Sequence, residues 1–238
     1  MTSLIPVRDA ATIIVVRRDG DRRSVLMGQR GKDATFMPGK FVFPGGAVDE
    51  DDSHVPVLRA LSQVCHSRLQ DGITPGLGAA LIAAGIRELW EETGQILGQD
   101  ARWDFVPPKS WDSFARTGHR PDAGAMRFVF RAITPPGRPR RFDARFFAVD
   151  AAAFASDPDD FSRAQDELSH LQWVPLESTR DFDLPFITQI ALAEVAALTR
   201  SVGPGIPIPA SVPFFKNDDE ENYVLRLGDK PATAEERS

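Results

Sequence analysis

Hydrophobic residues along the first part of the chain follow the spacing of β-strands. A β-branched run at 11–17 and an apolar run at 24–29 flank a polar turn, which predicts a β-hairpin. The apolar stretch 40–43 then leads to Gly45 and Gly46, which predicts a strand that runs into a double-glycine turn. Further strands are predicted at 126–133, 142–149 and 172–174.

Apolar residues at helical spacing predict four helices. One begins near Gly78 and ends at Thr93, where Gly94 supplies the left-handed residue that often follows a helix. An earlier helix carries apolar residues from Val57 to Leu69 and is expected to end near Gly72. The other two helices are predicted at 109–117 and 185–200.

Composition indicates one large globular domain in a reducing compartment. With 238 residues, 42% of them hydrophobic, the chain can bury a sizeable core. A net charge of −6 and a pI near 5.3 argue against binding to nucleic acid or to an anionic membrane. Cys65 is the only cysteine, which excludes an intramolecular disulfide. Because the sequence shows neither a signal peptide nor an apolar run of about 18 residues, we expect a cytoplasmic protein that does not span a membrane.

The octapeptide 87–94 concentrates negative charge on one helical face. Glu88, Glu91 and Glu92 lie within one turn, opposite the face that carries Leu89 and Trp90. Like charges at this spacing destabilise a helix, so the acidic face either meets water or binds a cation. Oxygen-rich carboxylate sites suit Mg²⁺ or Mn²⁺, which would let an acidic protein hold a phosphate. Arg87 can pair with Glu91 and fix the geometry of the cluster.

A strand, then Pro-Gly-Gly, then Arg-Glu-x-x-Glu-Glu-x-Gly resembles the Nudix hydrolase family. The matching residues of the family motif, the Nudix box, are Gly46, Arg87, Glu88, Leu89, Glu91, Glu92 and Gly94. The resemblance implies an α/β fold, the Nudix α/β/α sandwich with a mixed β-sheet. It also implies hydrolysis of a pyrophosphate that links a nucleoside to another group. Under this hypothesis Mg²⁺ or Mn²⁺ is bound by Glu88, Glu91 and Glu92 together with a carbonyl of Gly45 or Gly46, and Arg87 orients the glutamates. Glu88 either adds a ligand oxygen or helps to deprotonate the attacking water, with Glu167 as the competing base.

The box is interrupted. Gly46 and Arg87 are 41 positions apart where the family has 14, so 27 additional residues intervene. The first carboxylate of the box is therefore Asp52 if counted from Gly46, or is absent if counted back from Arg87, where Ala79 stands. Gln95 stands where an aliphatic residue is usual, at a position that packs and does not react.

An interrupted box resembles that of the peroxisomal-type coenzyme A and acyl-CoA diphosphatases and their bacterial relatives. This similarity extends to the segment 36–46 and implies substrate contacts at Phe36 and Met37. It also implies cleavage of coenzyme A or its thioesters into 3′,5′-ADP and a phosphopantetheine product. An ADP-ribose or NADH pyrophosphatase and a non-catalytic nucleotide sensor are the alternatives.

Residues outside the box supply further candidates. Arg30, at the end of a predicted strand, is either a phosphate clamp or a solvated residue. Arg145 belongs to a basic cluster that either is solvated or binds the 3′-phosphate of a substrate. Nudix enzymes often place another acid just before a Trp-Val strand, so Glu167 is either the general base or an additional ligand, or else a surface carboxylate. His170 is a minor candidate because it lies close to Glu167.

We therefore divide the chain into two parts. Residues 1–203 form the predicted Nudix domain, with a helical insertion at about 53–79, and residues 204–238 form a proline-rich extended tail whose end is disordered. The predicted partner is a small nucleoside-diphosphate substrate, and a homodimer is possible through the insertion.

Overall fold

The fold comprises strands, α-helices and short 3₁₀ turns arranged around one large sheet. The computed structural model describes residues 5–32, 34, 37–200, 205–217 and 222–228. The strands in these residues are β1 (Val7–Asp19), β2 (Arg22–Arg30), β3 (Phe41–Val42), β4 (Gly45–Ala47), β5 (Gly98–Asp100), β6 (His119–Pro121), β7 (Arg127–Ile133), β8 (Arg141–Asp150), β9 (Leu168–Pro175), β10 (Val212–Asn217) and β11 (Asn222–Leu227). The α-helices are α1 (Gln63–Leu69), α2 (Leu77–Thr93), α3 (Asp112–Ala115) and α4 (Phe186–Leu198).

Side chains of β1 alternate between two hydrophobic layers. Ala11 and Ile13 belong to the cluster that includes the apolar residues of α1 and α2. Ile14 and Val16 belong to the cluster that includes the buried residues of α4. Because successive residues of a strand point to opposite faces, the sheet is covered on one side by α2 and on the other by α4. This confirms the predicted α/β architecture.

The main sheet is mixed. Its strand order is β11-β10-β7-β8-β1-β2-β3, with β4 also paired to β1 and β9 also paired to β2. The pairs β1–β8 and β7–β10 are parallel and the others are antiparallel. A separate ribbon is formed by β5 and β6. Central β1 thus places β4, and the glycines that it carries, directly beneath α2.

Several predicted elements are confirmed, and one prediction near the site is wrong. The β1–β2 hairpin is present, and α2 and α4 lie within one or two residues of their predicted bounds. The double glycine, however, does not form a turn. Gly45 and Gly46 lie in β4 and pair with Thr12 and Ala11 of β1.

The insertion is less helical than its apolar spacing predicts. Its helix begins only at Gln63, where the Ser62 side chain accepts a hydrogen bond from the backbone N–H of Cys65. Upstream, the backbone of Leu58 and Arg59 bonds to Pro121 and Ala123, which holds that segment out of a helix. The prediction of one helix from Val57 onward is therefore wrong, although Leu61 and Leu69 are buried as expected.

The proline-rich segment contributes to the sheet. Strand β10 pairs in parallel with β7 at Phe214 and Phe215, and β11 pairs with β10. The predicted boundary at 203 and the predicted disordered end lie outside the described residues. No helix within the described ranges is both long enough and apolar enough to cross a membrane.

Candidate metal and pyrophosphate site

Helix α2 carries the three glutamates on a face that is shielded from solvent. Glu92 is only 2% exposed, and the side chains of Glu88 and Glu91 are mostly buried. A solvated acidic helix face is thereby excluded. The helix ends as predicted, with Gly94 in the left-handed region and its N–H donating to the carbonyl of Trp90.

Arg87 connects the carboxylates of the cluster. Its Nη1 donates to Glu88 Oε1 and to Glu91 Oε2, both at 2.9 Å. Its Nε and Nη2 donate to the two oxygens of Asp52 at 2.8 and 2.9 Å. Such a two-pronged contact fixes the plane of the guanidinium, so Arg87 holds two of the glutamates in a defined orientation.

Of the two positions that could carry the first carboxylate of the box, only Asp52 contacts Arg87. It is buried, contacts Arg87 as described and accepts hydrogen bonds from Trp111 Nε1 at 3.1 Å and from the Asp49 N–H at 2.9 Å. Ala79, the alternative position, is exposed on the first turn of α2. The interruption therefore follows the first carboxylate and leaves its contact with Arg87 intact.

The two glycines of β4 allow the backbone to approach the glutamates. The Gly45 N–H donates to Glu92 Oε2 at 2.7 Å. A Cβ at position 46 would lie 2.4 Å from Glu88 Oε1, and one at position 45 would lie 2.4 Å from the carbonyl oxygen of Ala11. Gly45 also has φ of 151°, which residues with a side chain rarely adopt. Position 45 therefore requires glycine, and a side chain at position 46 would displace the Glu88 carboxylate.

Burial makes the charged forms of the glutamates costly. It raises the pKa of Glu88 to about 7, against the opposing charge of Arg87. Burial also raises the pKa of Glu91, and it raises that of Glu92 well above its ordinary value, with the charge of Glu88 adding to the effect. Glu92 Oε1 is buried and has no hydrogen-bond partner. A nearby cation would offset these costs.

The donor set fits a hard divalent cation. In the described residues, no three carboxylate, histidine or cysteine side chains are already placed to hold an ion together. Glu88 and Glu91 instead each direct one oxygen at Arg87. Mg²⁺ commonly binds through one or two carboxylates and keeps water and phosphate oxygens as its other ligands. The unpaired oxygen of Glu92, with two further carboxylates on the same helix, meets that requirement.

Arg30 and Glu167 meet beside the cluster. Arg30 Nη2 donates to Glu167 Oε1 at 3.0 Å, and the Glu167 side chain is 58% exposed. The negative charge of Glu167 adds to the raised pKa of Glu88 and of Glu92. The Gln165 N–H donates to the carbonyl of Glu91 at 2.8 Å, so the segment before Glu167 is attached to α2.

Comparison with solved structures identifies the fold. No family model matches the chain. A crystal structure of the NUDIX hydrolase from Alicyclobacillus acidocaldarius matches with a TM-score of 0.59 and 25% identity, over 85% of this chain and 100% of that one. The chain has the Nudix fold.

Sequence similarity supports the Nudix hydrolase family. The "Putative nudix hydrolase 7" of Caenorhabditis elegans is 28% identical over 181 residues, which are 70% of this chain and 51% of that protein. The chain thus spans about half the length of this curated relative.

The remaining candidate site residues either lie away from the glutamates of α2 or fall outside the described residues. Phe36 is among the residues that the structure does not describe. Met37 is half-buried in the loop between β2 and β3 and has a positive φ of 53°. His170 is exposed on β9, where its ring contacts the neighbouring Ser169. For Met37 and His170, the structure shows no contact with the glutamates.

Arg145 is placed in the sheet and not in the site. It is 1% exposed on β8 and is ion-paired with Asp9 and Asp143. A guanidinium enclosed in this way is unavailable to a substrate phosphate, so the structure does not bring Arg145 together with the other candidates.

Two residues make buried hydrogen bonds near the site that the sequence did not predict. Trp111, expected only as an apolar anchor, binds Asp52 through its indole N–H. Gln95, expected only to pack, is fully buried and hydrogen-bonds to two residues of the segment that leads to Glu167. The signal for Gln95 was present in the sequence, because a polar residue at an apolar position of a motif needs buried partners.

Proposed function

We propose that this chain is a divalent-metal-dependent Nudix hydrolase that cleaves a pyrophosphate bond linking a nucleoside to another group. The observation that carries the proposal is Glu92, a buried carboxylate with one unpaired oxygen on the same helix as two other desolvated glutamates. A protein that used α2 only as a packing helix would gain nothing from burying three acids.

Glu88, Glu91 and Glu92 would hold Mg²⁺ or Mn²⁺, with a carbonyl oxygen of Gly45 or Gly46 as a further ligand. When bound, the ion supplies charge neutralisation at the bridging phosphates and makes a water molecule more acidic.

The residues around the cluster have separate roles in this proposal. Arg87 keeps Glu88 and Glu91 in place through the contacts already described. Glu167 accepts the proton of the attacking water, with Glu88 as the competing base. Arg30 fixes the carboxylate of Glu167 and presents its guanidinium to the substrate phosphates.

Coenzyme A and its thioesters are the proposed substrates. The support is the split box, together with the finding that the insertion packs into the core and leaves the Asp52–Arg87 contact intact. The expected products are 3′,5′-ADP and a phosphopantetheine derivative.

A substrate panel tests this proposal. The purified protein is incubated with Mg²⁺ and, separately, with coenzyme A, acetyl-CoA, ADP-ribose, NADH and diadenosine tetraphosphate, and the products are separated by chromatography. We expect cleavage of coenzyme A and its thioester. Cleavage of ADP-ribose or NADH alone would refute the substrate and retain the pyrophosphatase, whereas an intact panel would refute the enzyme.

The variant Glu91→Gln/Glu92→Gln separates an enzyme from a nucleotide sensor. It should lower kcat by about 10²-fold or more because it removes two metal ligands, while circular dichroism remains unchanged. Binding of Mn²⁺, followed by calorimetry, should weaken in parallel. The control Glu177→Gln alters an exposed carboxylate away from the cluster and should change neither quantity. A sensor would bind nucleotide in both forms without turnover.

A further inference from the structure

Gln95 is the first residue beyond the left-handed end of α2, and its side-chain amide is buried. Its Oε1 accepts a hydrogen bond from Ser156 Oγ at 2.7 Å. Its Nε2 donates to the carbonyl of Asp160 at 2.9 Å. Both ends of the amide are therefore paired, and both partners belong to the segment 155–167, here called the acid loop because Glu167 closes it.

The acid loop is attached at its start to the residue that follows Gln95, and near its end to α2 itself. At its start, the Ala155 N–H donates to the carbonyl of Ile96, and the Ile96 N–H donates to Ser156 Oγ. Near its end, the Gln165 N–H donates to the carbonyl of Glu91. Gln95 lies between these attachments, so the first half of the loop is organised around a single buried amide.

Two other side chains anchor the acid loop. Arg17 makes a two-pronged ion pair with Asp159, but both side chains are substantially open to solvent. Trp173 Nε1 donates a single hydrogen bond of 3.2 Å to the Pro158 carbonyl. Exposed ion pairs are screened and contribute little, whereas a buried amide that loses its partners carries an unmet desolvation cost. Gln95 makes two hydrogen bonds from a fully buried amide, so its loss should disturb the loop more than the loss of the Arg17 pair.

The acid loop carries Glu167, and Arg30 contacts its carboxylate. Glu167 is mostly exposed, and its described contact is the ion pair with Arg30 at the end of β2. An exposed ion pair constrains a carboxylate only weakly, so the distance of Glu167 from Glu88 and Glu92 also depends on the backbone that carries it.

We infer that Gln95 is a positioning residue, which holds the acid loop so that Glu167 faces the metal-binding glutamates. The inference rests on the proposed function, because it assigns a residue that acts on the same site through Glu167. An aliphatic residue at position 95 would fill the space but would release Ser156 and the Asp160 carbonyl.

A double-mutant cycle tests the inference. The variant Gln95→Met keeps the length of the side chain and removes both hydrogen bonds. We expect it to lower kcat about tenfold and to leave KM within about twofold. In the Glu167→Gln background the same substitution should lower kcat by less than about twofold, because Gln95 acts through Glu167. Equal effects in both backgrounds, or no effect in either, would overturn the inference.

A control variant separates positioning from stability. Gln189 lies in α4, on the other face of the sheet, and donates a hydrogen bond to the carbonyl of Leu184, which precedes the helix. The variant Gln189→Met removes this bond and should leave kcat unchanged. A loss of kcat in Gln189→Met equal to that in Gln95→Met would show a general effect of lost hydrogen bonds and would overturn the inference.

Hydrogen–deuterium exchange of the acid loop gives an answer that does not depend on turnover. Amides of residues 155–165 should exchange at least about tenfold faster in Gln95→Met than in the wild type, with the exchange of α4 unchanged. Unchanged exchange in the loop would refute the anchoring role. A wild type that cleaves nothing in the panel would refute the proposed function and the catalytic part of this inference, whatever the exchange shows.

Discussion

At the scale of single residues, the contact between Asp52 and Arg87 is the interaction on which the geometry of the site depends. Both side chains are buried, and the aspartate also receives the indole N–H of Trp111. Buried ion pairs add little net stability when intact, but the loss of one partner is costly because the other charge remains in a low dielectric.

The substitution Asp52→Asn should therefore destabilise the protein. We expect a loss of about 2–4 kcal/mol in the free energy of unfolding, somewhat below the usual 3–5 kcal/mol because Arg87 retains Glu88 and Glu91. The measurement is urea denaturation in the absence of divalent metal.

The matched control is Asp49→Asn. Asp49 is exposed, and its carboxylate lies 3.8 Å from the same guanidinium. Asp49 is the N-cap of the short 3₁₀ helix Glu50–His54. Asparagine can also serve as an N-cap, so this variant should change the free energy of unfolding by no more than about 0.5 kcal/mol. Equal effects of the two substitutions would show that Asp52 is not the principal partner of Arg87.

Sequence predicted the glutamates but not all of their partners. Glu88, Glu91, Glu92 and Arg87 follow from helical spacing, because their contacts lie within one turn. The choice between Asp52 and Ala79 could not be made, since Asp52 reaches Arg87 through the tertiary fold. Arg145 shows the opposite problem, because a charge in a basic run gives no sign that Asp9 and Asp143 will enclose it.

At the scale of elements, α2 concentrates groups whose charge is unfavourable in the folded state. Burial raises the pKa of Glu88 from the ordinary value of 4.5 to about 7, and it raises those of Glu91 and Glu92 in the same direction. The folded protein without metal therefore binds more protons than the unfolded chain between these values. Linkage then requires stability to fall as pH rises through this range.

We accordingly expect the metal-free protein to melt at a higher temperature at pH 5.5 than at pH 8. Glu88 contributes at most about 3 kcal/mol to the free energy of unfolding at low pH, and this contribution is fully lost only above pH 7. Added Mg²⁺ should raise the melting temperature more at pH 8 than at pH 5.5, because the ion binds the deprotonated carboxylates. The variant Glu88→Gln should reduce the pH dependence. Metal-free stability that rises from pH 5.5 to 8 would contradict this account.

Elements with clear periodicity were predicted well, and those that depend on distant pairing were not. The hairpin of β1 and β2 and helices α2 and α4 have strong local patterns. The short ribbon of β5 and β6 has none, since each strand is defined only by its partner. The apolar residues before α1 repeat at helical spacing, but their backbone groups bond elsewhere, so the spacing reflects burial without a helix.

At the scale of the whole molecule, the insertion belongs to the main core. Cys65 and Leu69 of α1 lie in the same hydrophobic cluster as Ile13 of β1 and Ile86 of α2. The insertion is therefore not a separate module, and its loss would expose the face of the sheet that supports α2.

The substitution Leu69→Ala should consequently destabilise the entire molecule. Leu69 is 2% exposed, and its truncation should cost about 2–5 kcal/mol in a single unfolding transition seen alike by circular dichroism and tryptophan fluorescence. The control on the same helix is Val64→Ala. Val64 is 45% exposed, so its change should stay within about 0.5 kcal/mol. Two separate transitions in Leu69→Ala would show that the insertion folds on its own.

The role of the C-terminal segment required the tertiary structure. Its prolines exclude helix, as predicted, but nothing in the local sequence shows that β10 will pair with β7, since residues 131 and 214 are far apart in the chain. Arg131 stacks on the ring of Phe214 across this junction, 4.1 Å from its centroid. Such long-range parallel pairing is the part of a fold that periodicity alone does not reveal.

Because the interruption comes directly after Asp52, the geometry of the site does not depend on the number of residues between Asp52 and Arg87. The aspartate and Arg87 are 35 positions apart, yet they touch as closely as neighbours. Chains with the same arrangement of acids need not preserve its length, so a template with rigid gaps would pass over them. A template built from contacting pairs in three dimensions would find them.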